Sequence, residues 1–365
     1  MTNPETQNIK WTEVYSLVAL SAAIAISWIA YHEYQPKLLQ NYSLEHLASF
    51  LVVAKGIILI VIPPIAGIIA DILIRKSGKI FMVFTVGIVL TAMVFMTVAS
   101  VLGIQILAPL EPILPVMIVL WLVAMNIFVS PALSMIDSFA PKNKLPIVMG
   151  VIFLVTELIY ALEPLVVELV EFFGASLTFA VGGILIGGTG YLFQKVSSDE
   201  VQERRESSAK RNSVTGRNEY LLIVFVGLLL GVGNAVLVEF IPYSIESGGG
   251  KYAEWGSYLS FGLLGLSAIL ALLASRQVSK IGLVKVIQIS AASIVFFSFL
   301  LIQYPDNFTL VALNGVIIAI AFSLLNVSGL PYAIERLSAR HVTFGVGLFL
   351  GASEIAGGIL EYMYM

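Results

Sequence analysis

The sequence of 365 residues contains no cysteine, only three histidines, and few charged residues. Without cysteine the chain has neither disulfide nor thiol chemistry, and this absence leaves its compartment open. The histidines, His32, His46 and His341, do not show the spacing of metal ligands. We therefore expect no metal site and no cofactor.

Sequence motifs of catalysis are also missing. There is no P-loop that would cradle ATP phosphates, and no Ser-His-Asp or metal-ligand set has the spacing that catalysis requires. These absences exclude ATP-driven transport. We expect that the chain is not an enzyme and that it does not bind nucleic acid.

Apolar residues dominate what is present. They make up 58% of the chain, and charged residues make up only 12%, about half of the ~25% found in soluble domains. The apolar residues form runs of about 20, long enough to cross ~30 Å of hydrocarbon. The sequence predicts an all-α polytopic membrane protein. Its eleven helices are expected at about 11–34, 45–70, 79–103, 113–136, 145–167, 174–194, 220–243, 254–274, 284–304, 308–332 and 343–364.

One long polar segment interrupts this pattern. Residues 195–219 carry charges of both signs with Ser, Gln and Asn, a composition that cannot bury enough apolar surface to form a core. We interpret this segment as a linker. It separates an N-terminal six-helix bundle, residues 1–194, from a C-terminal five-helix bundle, residues 220–365.

The basic residues predict the orientation. Lys37 and Lys251 fall in expected outer segments and Lys55 falls within a helix, whereas every other Lys and Arg falls on the opposite side. Cytoplasmic loops of membrane proteins carry such an excess of positive charge. We expect a cytoplasmic N-terminus and linker, and a location in the cell membrane.

The two blocks repeat several features in the same order. Glu33 and Glu239 each stand three residues before a proline, at the outer end of the first helix of a block. Glu157 and Glu354 each follow a glycine by seven residues. Two similar bundles of the same orientation imply a pseudo-two-fold axis along the membrane normal, with a substrate site between them near mid-membrane.

A loop motif between the second and third predicted helices indicates a resemblance to a known family. Gly67 and Asp71 form Gly-x-x-x-Asp, and a basic turn containing Arg75 and Lys79 follows. This pattern resembles the major facilitator superfamily signature between helices 2 and 3, although about three extra residues separate the Asp from the turn. The resemblance implies rocking of two bundles about a central site, with Asp71, Arg75 and Lys79 in gating.

Within the superfamily, the helix 1–2 region and residues 131–137 are most similar to sugar–cation symporters. The superfamily has twelve helices, whereas this chain has room for eleven. The place of the missing helix would be covered by membrane lipid or by a partner subunit.

Burial of a charge within a predicted helix, or close to its outer end, is costly, and five charged residues at such positions are candidates for function. A carboxyl group in such surroundings is suited to carrying a proton. We interpret the five as candidates for proton coupling, the alternatives being structural ion pairs or hydrated charges. They are Glu354, Glu157, Lys55, Glu33 and Glu239.

The first and fourth helices of each bundle line the cavity in this superfamily. The resemblance therefore implies that Trp28, Tyr31, Asn126, Asn234 and Asn326 contact the substrate. Aromatic faces combined with amides suit a sugar ring. The alternatives are an interfacial aromatic belt for Trp28 and Tyr31 and hydrogen bonds between helices for the three asparagines.

These features together predict a secondary active transporter for a small polar solute, best a sugar or glycoside, coupled to protons. Two alternatives remain. One is an exporter of hydrophobic or organic-ion compounds, and the other is a non-transporting membrane subunit of a larger complex.

Overall fold

The computed structural model describes residues 8–77, 80–103, 113–198, 216–247, 252–305, 307–338 and 340–364. Within these ranges it contains no strand, and eleven helices are long and apolar enough to span a membrane, which confirms the predicted number. We label them in chain order: α1 Trp11–Asn41, α2 Ala48–Ser77, α3 Ile80–Gly103, α4 Ile113–Ser134, α5 Leu145–Ala161, α6 Glu163–Val196, α7 Asn218–Ser247, α8 Gly256–Ile281, α9 Leu283–Gln303, α10 Phe308–Arg336 and α11 Val342–Tyr364.

Several helix ends differ from the predicted ones, with α2 and α8 each ending seven residues later and α5 six residues earlier. Two of the differences arise because proline and glycine act differently from expectation. Helix α1 continues through Pro36 to Asn41, although the sequence predicts a loop from Gln35. The segment from Glu163 to Phe173 is helical, and the helix is kinked at Gly174, whose φ of 72° favours glycine. The hydroxyl of Thr178 donates to the carbonyl of Val170 at 3.1 Å and bridges this kink.

Helix α7 is irregular near its end. Residues Val236–Phe240 form a π-helix, after which Ile241–Ser247 return to α-helical geometry. A π-helical turn holds one residue more than an α-helical turn and is frequent at functional sites. Glu239, one of the predicted coupling residues, lies within it.

The helices form two bundles that meet along two lines of contact. In the first bundle α3 packs against α4 and α6, and in the second α10 packs against α8 and α9. Between the bundles, α2 packs against α11 and α5 packs against α8. Most of the predicted linker, residues 199–215, lies outside the described residues, so the domain limits stay a prediction.

Small residues bring α2 and α11 together, and we call this contact the α2–α11 seam. A Cβ placed on Gly347 would collide with the carbonyl of Pro63, and one on Gly351 would collide with that of Ile60. A Cβ on Gly67 would lie 2.7 Å from the Cα of Phe344. Close backbone approach over small residues is a common basis of helix association in membranes.

Candidate functional site

Asp71 joins the two bundles at one end of the seam, which we call the Asp71 end. Its carboxylate accepts the backbone N–H groups of Thr343, at 3.2 Å, and Phe344, at 2.8 Å. These N–H groups belong to the first turn of α11, where they have no partner within the helix. The negative charge also suits the positive end of the α11 dipole. A carboxylate of the first bundle thus caps a helix of the second.

Hydroxyl groups extend this junction to α4. Ser134 and Thr343 are hydrogen-bonded at 3.2 Å between their buried side-chain oxygens. Ser130 donates at 2.9 Å to the carbonyl of Pro63. Three helices, α2, α4 and α11, are therefore linked between the middle of the seam and the Asp71 end, where Asp71 itself is only 4% exposed.

The other predicted gating residues are placed differently. Arg75 is exposed, and its Nε donates to the backbone carbonyl of Asp71, one turn earlier on the same helix, at 3.2 Å. Lys79 lies outside the described residues. Of the three, Asp71 is the one for which the structure records a bond between the bundles.

At the opposite end of the seam, Lys55 forms an ion pair with Glu361, with 2.5 Å between Nζ and Oε1. The Lys55 side chain is 9% exposed and the Glu361 side chain 32% exposed. Sequence reasoning singles out Lys55 but not Glu361. The signal for it was present, because Glu361 follows Glu354 by seven residues, or about two helical turns, and so lies on the same face of α11.

Glu354 lies on α11 between the Asp71 cap and the Lys55–Glu361 ion pair, which we call the two ties of the seam. It is solvent-accessible although it lies midway along α11, and it is within electrostatic range of both Lys55 and Glu361. Between the two carboxylates on this side of the helix lies Gly357, where an added Cβ would meet nothing within 4 Å. Glu354 therefore borders open space beside the α2–α11 seam.

The remaining predicted coupling residues lie on other helices and differ in their surroundings. Glu239 in α7 lies within electrostatic range of Glu361 and Lys55. Glu157 in α5 is buried, at 8% exposure, and forms no ion pair within the described residues. Glu33 is instead paired with Lys37, whose Nζ also lies 2.6 Å from Glu171.

An aromatic cluster lies beside these charges. The rings of Tyr31 and Trp121 stack with centroids 4.6 Å apart, and Trp28 meets Trp121 edge-on at 5.1 Å. Within the described residues, neither the Tyr31 hydroxyl nor the Trp121 indole N–H has a hydrogen-bond partner, although both residues are buried. Trp121 in α4 is not among the residues that the sequence singles out. The burial of Tyr31 and Trp121 differs from that of an interfacial belt.

The three asparagines show weaker evidence of a site. The amide of Asn126 donates to the carbonyl of Leu122 at 2.8 Å, and that of Asn326 donates to Phe322 at 3.5 Å. Both bonds stay within one helix, so they do not link neighbouring helices. Asn234 in α7 is exposed.

Comparisons with known proteins agree with this architecture. A sequence model described as Major Facilitator Superfamily matches residues 14–360. The fold is similar to that of the human organic anion transporter MFSD10 (TETRAN), with a TM-score of 0.67 and 14% identity, covering 97% of this chain and 93% of that one.

It is also similar to the proton:xylose symporter XylE, with a TM-score of 0.63 and 12% identity, covering 97% of this chain and 89% of that one. No curated protein sequence matches the chain. A family match over most of the length, on a fold of eleven membrane-spanning helices, identifies the class of protein. The chain belongs to the major facilitator superfamily and is a secondary transporter, a membrane carrier and not an enzyme.

Proposed function

We propose that this carrier moves a small polar solute by alternating access and couples the movement to protons. The observation that carries the proposal is the α2–α11 seam, which is tied by the Asp71 cap at one end and by the Lys55–Glu361 pair at the other. Glu354 lies between these two ties. The same two helices therefore carry a contact that must open at each end.

The tie at the Asp71 end supports a closed gate on that side. Opening requires the carboxylate to leave the N–H groups of Thr343 and Phe344, and loss of a helix cap costs about 0.5–2 kcal/mol. A cost of this size permits both states to be populated. With the orientation proposed from the basic residues, this gate faces the cytoplasm of the cell.

The tie at the other end supplies the coupling. We assign the proton to Glu354, which is within electrostatic range of both Lys55 and Glu361. When Glu354 loses this proton, its carboxylate competes with Glu361 for the Lys55 ammonium, because a buried ammonium is costly without a charged partner. Proton release is thereby linked to opening of one end of the seam. Glu157, Glu239 and Glu33 are proposed as further proton-carrying groups.

The aromatic cluster supports a sugar or glycoside as the solute. Tyr31 and Trp121 have polar atoms without partners in the described part of the chain, and sugar hydroxyls would satisfy them. The ring faces of Tyr31, Trp28 and Trp121 suit the apolar face of a sugar. The similarity of the fold to a proton:xylose symporter agrees with this class, with Asn126, Asn234 and Asn326 as additional contacts.

A second candidate is an exporter of organic cations. The observation that favours it is the excess of carboxylates, because Glu239, Glu354 and Glu361 all lie within electrostatic range of the buried Lys55. Carboxylates beside aromatic rings attract organic cations.

Thermal unfolding against a panel of sugars and lipophilic cations separates the two candidate functions. A ligand at 100 times its Kd adds about 2.7 kcal/mol to the free energy of unfolding of the protein that binds it. Stabilisation by neither class of solute would favour the third interpretation, a non-transporting membrane subunit of a larger complex.

Glu354→Gln tests the coupling once a solute is known. In proteoliposomes the variant is expected to lose accumulation driven by a pH gradient while keeping counterflow exchange, because exchange needs no net proton movement. Glu254→Gln, an exposed carboxylate before α8, is the matched control and is expected to keep both. Loss of both activities in the Glu354 variant would indicate a folding or binding role and would contradict the proposal.

A further inference from the structure

A cavity of about 540 Å³ lies between the two bundles, away from the α2–α11 seam. The residues that line it come from the N-terminal segment, the start of α5 and the last part of α8. They are Asn8, Ile9, Trp11, Lys144, Ile147 and Arg276. None of the predicted coupling or substrate residues is among them, so this cavity is separate from the transport site.

The cavity lies at the level where membrane and water meet. Trp11 is the first residue of α1, Lys144 directly precedes α5, and Arg276 stands five residues before the end of α8. Trp11 also stacks on Tyr15, with centroids 5.5 Å apart, and both rings are exposed. Exposed Trp and Tyr are typical of the depth at which lipid headgroups lie. The cavity therefore opens among headgroups, on the side of the Asp71 end.

The charge of the lining selects the kind of ligand. Lys144 belongs to the first bundle and Arg276 to the second, and the described lining residues include no acid. An arginine guanidinium binds phosphate oxygens with two parallel hydrogen bonds, and a lysine binds them as a point charge. Basic pockets between membrane helices on the cytoplasmic side are sites for phosphate headgroups.

We propose that this cavity binds a phosphate group between Lys144 and Arg276, carried by an anionic phospholipid or free in solution. The indole of Trp11 and the apolar side chains of Ile9 and Ile147 flank the headgroup. The binding itself does not depend on the transported solute or on protons. Its consequence for conformation rests on the alternating access proposed above.

That consequence follows from the position of the two cations. Helices α5 and α8 belong to different bundles and lie close together here, since a Cβ on Gly150 would come within 2.8 Å of the Ser275 Cβ. An anion that binds both Lys144 and Arg276 is a shared partner for α5 and α8 and so joins the bundles. Phosphate binding therefore favours the state that is closed at the Asp71 end.

The binding is tested by native mass spectrometry of the purified full-length chain. The probes are phosphatidylglycerol, phosphatidylcholine and soluble glycerol 3-phosphate. We expect phosphatidylglycerol to bind at least tenfold more tightly than phosphatidylcholine, and Arg276→Gln to remove this preference. Lys280→Gln, one turn further along α8 and outside the cavity lining, is expected to retain it. Arg276→Lys keeps the charge and is expected to bind with intermediate affinity.

The outcomes separate the possibilities. Competition by glycerol 3-phosphate would assign the site to the phosphate group alone, and binding of the diacyl lipid only would assign it to a membrane lipid. Equal affinity for both phospholipids would overturn the proposal. Equal loss in the Arg276 and Lys280 variants would also overturn it, because the attraction would then belong to the whole charged surface. If Arg276→Gln fails to fold, Arg276→Lys and Lys144→Gln are measured in its place, and each is expected to weaken the preference for phosphatidylglycerol.

Discussion

Glu361 and Lys55 form their ion pair about 24 Å along α2 from Asp71, the distance that 16 helical residues cover at ~1.5 Å each. The carboxylate of Asp71 meets α11 at its first turn, whereas Glu361 lies near its last. One pair of helices thus carries an electrostatic tie at each end. The rocking motion that we propose would release one tie while it keeps the other.

The ion pair predicts a measurable coupling between its members. We expect Lys55→Met and Glu361→Gln each to lower the free energy of unfolding, since each leaves a partly buried charge without its partner. The double variant is expected to recover part of the loss, with a coupling energy on the order of 1–3 kcal/mol in a double-mutant cycle. Lys37 and Glu171, an exposed pair, serve as the control, and their coupling is expected to be much weaker because solvent screens it. Additive effects at Lys55 and Glu361 would contradict the tie.

The helix cap predicts a change in accessibility. Asp71→Ala removes both acceptors of the first turn of α11, so the Asp71 end is expected to open about 2- to 30-fold more often, as follows from a cost of about 0.5–2 kcal/mol. Because the chain has no cysteine, a single Ser134→Cys reports the opening through its rate of maleimide labelling. Asp137→Ala is the control at the same end. Unchanged labelling in the Asp71 variant would mean that the cap does not hold this end closed.

Close packing of the seam predicts different effects of the same substitution at two glycines. Gly347→Ala places a methyl group against the Pro63 carbonyl and is expected to cost about 1–3 kcal/mol. Gly357→Ala meets open space and is expected to be neutral or stabilising by up to ~1 kcal/mol through helix propensity. Thermal unfolding in detergent compares them. Similar effects at both positions would show that helix propensity, and not packing, decides.

The aromatic cluster predicts where a solute binds. Tyr31→Phe removes a hydroxyl that has no partner in the described part of the protein, so stability is expected to change little while affinity for the solute falls about tenfold. Trp121→Phe is expected to act in the same way through its indole N–H. Trp255→Phe, an exposed ring before α8, is the control for loss of an indole. A drop in stability with unchanged affinity would assign the pair to packing.

Much of the architecture could be predicted from the sequence because the bilayer imposes a simple rule. Runs of about 20 apolar residues must be helices, and the eleven predicted spans are present. Asp71 could be found through its spacing from Gly67 and the basic turn. Lys55 could be found because a charge in an apolar run is unusual. These signals are local in the chain.

The rest depends on contacts that no local pattern encodes. The partner of Lys55 is 306 residues away, and the sequence does not distinguish Glu361 from Glu354 as that partner. Trp121 resembles any other apolar residue of a helix until its ring meets Tyr31. The residue type and position of Asn126 predict a contact with the substrate, yet its amide donates to a carbonyl of its own helix. Pairing of groups far apart in the chain is settled by packing.

The π-helical turn of α7 means that the two halves of the molecule are not related residue by residue. An i→i+5 turn holds one more residue than the regular helix of α1, so Ile241–Ser247 are rotated by about 100° relative to an uninterrupted α-helix. Glu33 and Glu239 match in the sequence repeat, but the extra residue re-aims the carboxylate of the second. This difference in register fits with Glu33 pairing to Lys37 while Glu239 lies within range of Lys55. A one-residue offset thus gives two equivalent positions different charged neighbours.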